Sequence, residues 1–316
     1  MTNNTVAGAV AARSQGPSFS SEGGAFTFAP ATKDKAKARI ALNGPSGSGK
    51  TWTSLVTATA LGNRIALIDT ERGSASKYAG PRGFAFDTLE MHKHDPRDLV
   101  KALASAAAAN YDVVIVDSLS HFWSGIGGML EQVDSAAKRG YSGNTFAGWK
   151  DAAPLERAMI DALVSFPGHV IVTMRVKTEW VIDGKTPRKV GLKPEQRHGI
   201  EYEFDIVGDM DHENTMVVSK TRCPDLNGAV IRQPDATFAQ TVLAWLEDGA
   251  DTDTVAEFHD AALDPSLTYE GALELYKRVE RRGLLGAALL DPDANPTTLG
   301  ALIKTIGGRK RTEGGT

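Results

Sequence analysis

Apolar positions along the chain follow two rhythms. Compact apolar runs of strand length fall at residues Arg39 to Asn43, Arg64 to Asp69, Asp112 to Asp117 and His169 to Met174. Between them lie longer stretches that read as helices: Gly49 to Leu61, Pro96 to Asn110 behind Asp95, Gly128 to Lys138, and Phe146 to Phe166. Strand followed by helix, repeated, predicts βαβ units and a parallel sheet. Val113, Val114, Ile115 and Val116 form an unbroken apolar run, as expected for a mid-sheet strand covered on both faces. Phe84 to Met91 reads as an edge strand. Thr178 to Gly191 reads as a hairpin turning at Asp183-Gly184, and Phe204 to Asp209 with Thr215 to Thr221 as an antiparallel pair. The sheet is therefore expected to be mixed at one edge.

The ends of the chain follow neither rhythm. Residues 1–34 hold many small polar and few large apolar side chains, the composition of a flexible arm. Residues 35–247 make the α/β domain, the acidic stretch LEDGADTDT marks a linker over 248–254, and 255–316 read as a small helical domain interrupted near Asp291 to Asn295.

Composition narrows the class. With 41% hydrophobic and 23% charged residues in 316, the chain has the balance of a soluble globular protein. No run approaches the roughly 18 apolar residues of a membrane span. A lone cysteine, Cys223, excludes an intramolecular disulfide framework and a multi-cysteine zinc site. Without a recognisable secretory leader, the expected location is the cytoplasm. A net charge of -4 excludes a globally basic nucleic-acid coat and directs attention to local patches. One such cluster, Lys33, Lys35, Lys37 and Arg39, reads either as a solvated run or as a contact for an acidic partner.

The candidate chemistry begins where the first strand meets the first helix. Gly44-Pro45-Ser46-Gly47-Ser48-Gly49-Lys50-Thr51 matches G-x-x-x-x-G-K-[ST] in the strand-to-helix setting that this motif needs. Glycines let backbone N–H groups and the helix N-terminus face a phosphate. Lys50 is expected on the β/γ oxygens of ATP and Thr51 on Mg²⁺. Asp117, ending a buried strand, is the expected second magnesium carboxylate. Hydrolysis also needs a base or water-positioning group, and in RecA-like ATPases, which the motifs here resemble, a glutamate ends the strand after the P-loop helix. That resemblance makes Glu71, in Ile68-Asp69-Thr70-Glu71, the candidate catalytic base, its alternative being a surface pairing with Arg72. Thr173 and Arg175 are the polar groups placed to sense the γ-phosphate, and Arg175 stands equally well at the start of a DNA-binding loop. His121 reads as a packing or hydrogen-bonding residue, and His92, His94, His198 and His212 show no metal-ligand spacing.

In AAA+ ATPases a glutamate directly follows the Asp of the second motif, whereas here Ser118 does. The order of P-loop, Ile68-Asp69-Thr70-Glu71 and Val116-Asp117-Ser118 instead resembles RecA-type recombinases over about Lys37 to Arg232. The stretches IDTERGSASKYA, VDSLSHFWSGIGGMLEQVD, TMRVKTEW, PRKVGLKPEQRHGIEYEFDIVGDMDH and VSKTRCP look like a family of phage-encoded ATPases with an AAA domain. That family is similar to single-strand annealing proteins of the Sak-four type. The resemblance implies a RecA-like P-loop NTPase core, with a mainly parallel sheet and antiparallel edge strands. It also implies ATP-linked binding of single-stranded DNA and pairing of complementary strands, usually beside a single-strand DNA-binding protein. In RecA-like proteins a head-to-tail homo-oligomer brings a neighbour's basic residue to each ATP. Lys220 and Arg222 resemble those trans-acting groups, the alternative being cross-strand pairing with Asp209 or Asp211.

A local basic excess fits that expectation. Between Arg175 and Arg197 lie seven basic residues (Arg175, Lys177, Lys185, Arg188, Lys189, Lys193, Arg197) and three acids, with Trp180 among them. Such a segment can track phosphates and stack a base, or can be a solvated hairpin. Lys138 to Trp149, with Arg139, Tyr141, Asn144 and Phe146, is a second candidate. The competing functions are a helicase-like DNA motor and a small-molecule P-loop kinase.

Overall fold

The computed structural model describes residues 36–140, 142–183, 186–249 and 253–313, with the backbone alone over 178–183 and 186–192 and at 313. The expected flexible arm and Lys35, residues 250–252 of the expected linker, Tyr141, Gly184 and Lys185 lie outside the described residues. The first half of the core runs β1 (Arg39–Gly44), α1 (Lys50–Leu61), β2 (Ile65–Asp69), β3 (Asp87–Glu90), α2 (Pro96–Ala108) and β4 (Val113–Asp117). Then follow α3 (Ser120–Ser124), α4 (Met129–Gly140), α5 (Thr145–Val164), β5 (His169–Asp183) and β6 (Thr186–Pro194). The core closes with β7 (Ile206–Met210), β8 (Thr215–Thr221), β9 (Val230–Arg232) and α6 (Ala236–Glu247).

These strands form a nine-stranded sheet in the order β3-β2-β4-β5-β1-β7-β8-β9, with β6 paired to the outer part of β5. The pairs from β3 through β7 are parallel, and β7-β8, β8-β9 and β5-β6 are antiparallel. The mixed edge is thus present. Alternation along the strands sorts side chains to two faces. Ile40, Leu42, Leu67, Ile115 and Ile171 pack on Leu55 and Leu61 of α1 and on Phe238 and Val242 of α6. Ala41, Val114, Val116, Val170 and Val172 pack on Leu99 and Leu103 of α2 and on Met159 and Leu163 of α5. Each such fully buried aliphatic side chain contributes about 1.5–3 kcal/mol, so the central strands are the rigid support for whatever their carboxyl ends carry.

Local signals explain the boundaries. Asp95 caps α2 by accepting the Arg97 N–H at 2.9 Å, with Pro96 as first helical residue. Asn144 caps α5 through the Ala147 N–H at 3.3 Å. The hairpin is made by β5 continuing past Met174 rather than by a separate strand, and Asp183 pairs with Thr186 across its turn. α3 and α6 have no counterpart in the sequence reading.

Beyond the core come α7 (Val255–Leu263), α8 (Tyr269–Arg281), β10 (Ala288–Leu290), β11 (Pro296–Thr298) and α9 (Leu299–Glu313). Phe258, Leu275, Val279, Leu299 and Ile303 form a separate apolar cluster. The interruption expected in this region is more than a helix break: β10 and β11 pair antiparallel around a turn in which the Asp291 carboxylate accepts N–H bonds from Asp293 and Asn295. Asp, Pro and Asn there favour a turn over a helix. Ala288 of β10 joins the α2 face of the main core, which fixes this unit to the sheet.

In the cluster Lys33, Lys35, Lys37 and Arg39, the first two lie outside the described residues, Lys37 is exposed as a solvated run would have it, and Arg39 alone departs from both readings. Arg39 is only 8% exposed, and its guanidinium donates to the carbonyls of Val164, Ala38, Gly168 and Phe166. It closes the foot of the sheet, because a buried guanidinium needs acceptors and the loop before β5 supplies them. Among the described residues no helix is long and apolar enough to cross a membrane.

Candidate functional site

The P-loop lies between β1 and α1. A Cβ on Gly44 would meet Ser48 Oγ at 2.4 Å and the Met210 carbonyl at 2.9 Å, so only glycine fits at the loop's entry. Gly49 caps α1 with φ +84°, a left-handed conformation that glycine adopts without strain. Lys50 folds its ammonium back onto the loop, donating to the carbonyls of Gly44 (2.9 Å) and Pro45 (2.8 Å). Burial holds its pKa below the usual lysine value, while Asp117 and Glu71 pull the other way.

Three further parallel strands, β2, β4 and β5, deliver the remaining groups to the same rim. Asp117, at the end of β4 and 2% exposed, accepts hydrogen bonds from Thr51 Oγ1 (2.5 Å) and Thr173 Oγ1 (2.5 Å). Burial pushes its carboxyl up, against the effect of the Thr173 and Thr51 hydrogen bonds. A buried carboxylate whose partners are two hydroxyls, one of them the P-loop threonine, is a donor set that suits a hard divalent cation. Thr51 and Asp117 would hold Mg²⁺, which when bound neutralises phosphate oxygens.

Glu71 follows β2, and its Oε1 receives Arg175 Nη2 at 2.9 Å and Nε at 3.1 Å. Arg175, not Arg72, is therefore its ion-pair partner. The preceding Thr70 is fixed from below: its hydroxyl accepts the Ser118 N–H at 2.7 Å and meets His121 Nδ1 at 2.7 Å. Burial lowers the His121 pKa, with Arg175 and His94 adding to the effect. His121 thus has the hydrogen-bonding role read from the sequence, and it stacks on His94 at 5.0 Å.

Lys50, Thr51, Glu71, Asp117 and Arg175 line one cavity of about 420 Å³, with Gly44, Pro45, Ser46, Gly47 and Gly49 at its floor. Ser48 is buried behind the loop, its hydroxyl without a partner. Thr173 does not line the cavity. It is fully buried behind Asp117, so it orients that carboxylate, whereas Arg175, two residues further along the same strand, reaches the open end. A larger cavity, about 1040 Å³, lies at the opposite end of the sheet between its foot and the C-terminal helices. Among its lining charges Arg39, Asp205 and Arg222 are engaged with one another or with backbone, and it lies away from the P-loop, so we assign the site to the smaller cavity.

Tyr78 also lines the nucleotide-sized cavity and makes edge contact with Trp52, which in turn meets Phe84. The sequence reading gave none of the three a place at the site, and Phe84, which it took as the start of an edge strand, lies before β3. Their signal was available only in Trp52 at 49% exposure, an aromatic that the α1 pattern would leave to solvent.

The basic segment divides. Lys177 pairs with Glu195 at 2.6 Å, and Arg197 pairs with Glu156 (3.2 Å) and Glu203 (3.0 Å). Lys193 is exposed at the end of β6 and makes no ion pair among the described residues. Trp180 faces Lys189 in register and Val181 faces Arg188, and their side chains, like the whole of Lys185, lie outside the described residues. In the second candidate, Trp149 stacks on Trp123, while Phe146 stands 88% exposed.

Lys220 and Arg222 meet neither Asp209 nor Asp211. Lys220 donates to the carbonyls of Glu201, Tyr202 and Phe204, and Arg222 pairs with Asp205 at 2.7 Å. Asp209 instead accepts from Asn43, and Asp211 closes the β7–β8 turn. No metal-ligating group of three or more His, Cys, Asp or Glu occurs among the described residues.

No curated protein matches the chain. A family model described as an AAA domain matches residues 36–238, which takes in the P-loop, Glu71, Asp117 and the whole sheet. With more than half of its length in that match, the chain belongs to the AAA domain family of nucleotide-binding P-loop ATPases.

Proposed function

We propose that this ATPase is a RecA-like recombination protein of the phage-encoded kind, similar to Sak-four type annealing proteins. In this reading it binds single-stranded DNA in an ATP-linked manner and pairs complementary strands. The observation that carries the reading is the continuity of β5. Arg175 lines the nucleotide cavity, and from the next residue onward the same strand pairs with β6 in the segment that bears the basic excess. A change at the terminal phosphate and a change at the hairpin are thus events on one strand.

Other features support it. β5 lies between the P-loop strand and the Asp117 strand, with Glu71 on the strand beyond, which is the arrangement of RecA-like ATPases. Tyr78 at the cavity mouth offers a ring face for the adenine base. Thr221 is level with Ile40, four residues below Gly44 on β1, or roughly 13 Å at 3.3 Å per residue. In this reading Lys220 and Arg222 serve a nucleotide held by another copy, as in a head-to-tail oligomer, and exchange their contacts with the Glu201, Tyr202 and Phe204 carbonyls and with Asp205 to do so. Exposed Lys193 and Phe146 supply a phosphate contact and a stacking surface for single-stranded DNA. A single-strand DNA-binding protein is the companion that this role implies.

In the reaction, Lys50 and the loop N–H groups hold the β- and γ-phosphates, Thr51 and Asp117 would hold Mg²⁺, which would supply charge neutralisation at the phosphates, and Glu71 accepts the proton of the attacking water. The test is ATP turnover by the wild type and Glu71→Gln, each with and without single-stranded DNA. DNA should stimulate the wild type, and the variant should lose about 10²- to 10⁴-fold. About four phosphate contacts predict a log–log salt slope of DNA binding near -3. Absence of stimulation with a flat salt response would remove the DNA reading while leaving the ATPase.

A further inference from the structure

Glu71 is held by the residue best placed to read the terminal phosphate. Two N–H groups of Arg175 converge on a single oxygen, Glu71 Oε1. A general base works through a free carboxylate lone pair, and this pairing takes up the capacity of one oxygen and ties the other to its orientation. Both side chains line the cavity that holds Lys50 and Thr51.

The Arg175 backbone has little freedom. Its N–H donates to Ser120 Oγ at 3.0 Å, its carbonyl accepts the Glu195 N–H at 2.7 Å, and it is in register with Gly44 of β1. What can move is the side chain. The pair itself is weak, because the Arg175 and Glu71 side chains are 44% and 30% exposed and water screens them. Both N–H groups share one carboxylate oxygen, so the pair is not the parallel two-oxygen fork, which a terminal phosphate can offer the same guanidinium.

We propose that Arg175 is a positioning residue that exchanges Glu71 for the γ-phosphate when ATP occupies the P-loop, and returns to Glu71 when ADP is left. The proposal rests on the ATPase reading of the cavity and deepens it. With Arg175 on the phosphate, Glu71 is released to take a proton from water. The water oxygen then bonds to the γ-phosphorus, the bridging P–O bond breaks with its electron pair passing to ADP, and inorganic phosphate forms. With ADP bound no terminal phosphate competes, the ion pair re-forms, and the base is held until the next ATP. Empty and ADP-bound protein therefore share one arrangement of Arg175, and ATP-bound protein has the other.

The exchange makes a specific prediction for binding. ATP must break the Arg175–Glu71 pair and ADP need not. A double-mutant cycle with Glu71→Gln, Arg175→Ala and the double variant, in Mg²⁺ with the β,γ-imido analogue of ATP and with ADP, measures this by calorimetry. Glu71→Gln should bind the analogue about two- to fivefold more tightly than wild type, with ADP affinity unchanged. In the Arg175→Ala background the same change should have no effect, and the preference for the analogue over ADP should be lost. Should Arg175→Ala not fold, Arg175→Gln takes its place in the cycle. An equal gain from Glu71→Gln in both backgrounds would mean simple removal of a negative charge and would overturn the exchange. An equal gain for analogue and ADP would do the same. Failure of the wild type to bind either nucleotide would overturn the P-loop reading beneath it.

Discussion

At the amino ends of the parallel strands, Arg39 is buried with its guanidinium spread over four carbonyls, and Asp205 accepts both the Arg39 backbone N–H and the Arg222 guanidinium. At the carboxyl ends of the same strands, Asp117 is buried against two hydroxyls, Lys50 rests on two loop carbonyls, and the Ser48 and Ser118 hydroxyls have no partner. Both ends therefore carry buried charge in the one sheet. The foot is internally complete, and burial lowers the Arg39 pKa only to about 10, so it stays charged. The rim has contacts that a phosphate and a cation can replace. Burial of charge does not by itself mark a site; unspent hydrogen-bonding capacity beside it does.

The largest test of this contrast is Lys50→Ala. ATP turnover should fall by about 10²- to 10³-fold in steady-state assays, the scale for loss of one donor to developing charge. Its thermal unfolding should match the wild type, since the ammonium supports only loop carbonyls that water can reach. Next is Arg39→Leu, which strands the carbonyls of Val164, Gly168 and Phe166 and leaves Asp205 short of a neighbouring charge. It should cost about 3 kcal/mol in denaturant unfolding, with turnover per folded molecule retained. A stable Arg39→Leu protein, or a fully active Lys50→Ala protein, would erase the distinction between foot and rim.

How far each end could be read beforehand follows the same division. The P-loop and Asp117 were legible because their signals are local: eight contiguous residues between strand and helix, and an apolar run ending in a carboxylate. The strands of the core and the mixed edge were legible for a similar reason, since alternation and turn residues act over a few positions. Arg39 was not, because in sequence it ends a run of lysines, and only the approach of the Val164–Gly168 loop buries it. The Glu71–Arg175 pair joins β2 to β5 across β4, a neighbourhood set by strand order. Thr173 was placed on the right strand, but its burial against Asp117 follows from the pairing of Val116 with Val172, a register that the sequence does not carry. Trp52, Tyr78 and Phe84 meet only because the segment between β2 and β3 folds back over α1.

The smallest effect probes the foot through a buried imidazole. His169 is 4% exposed, and its Nδ1 accepts the Ala38 N–H at 3.1 Å, which requires the neutral ring. Burial lowers its pKa to about 4, with Lys37 and Arg39 adding to the effect and Asp112 opposing it. The unfolded chain, with an ordinary pKa near 6.5, takes up the proton first as pH falls. The contribution of His169 to stability is therefore complete above about pH 6.5 and is lost progressively down to about pH 4. Between about pH 7 and about pH 5.5 this amounts to about 1 kcal/mol, read from denaturant midpoints. His169→Asn retains an acceptor for the Ala38 N–H but has no proton to gain, so its stability should fall less steeply over the same interval. Parallel curves for the two proteins would mean that the foot, like the rim, tolerates a change of charge, and that only the backbone carbonyls around Arg39 distinguish them.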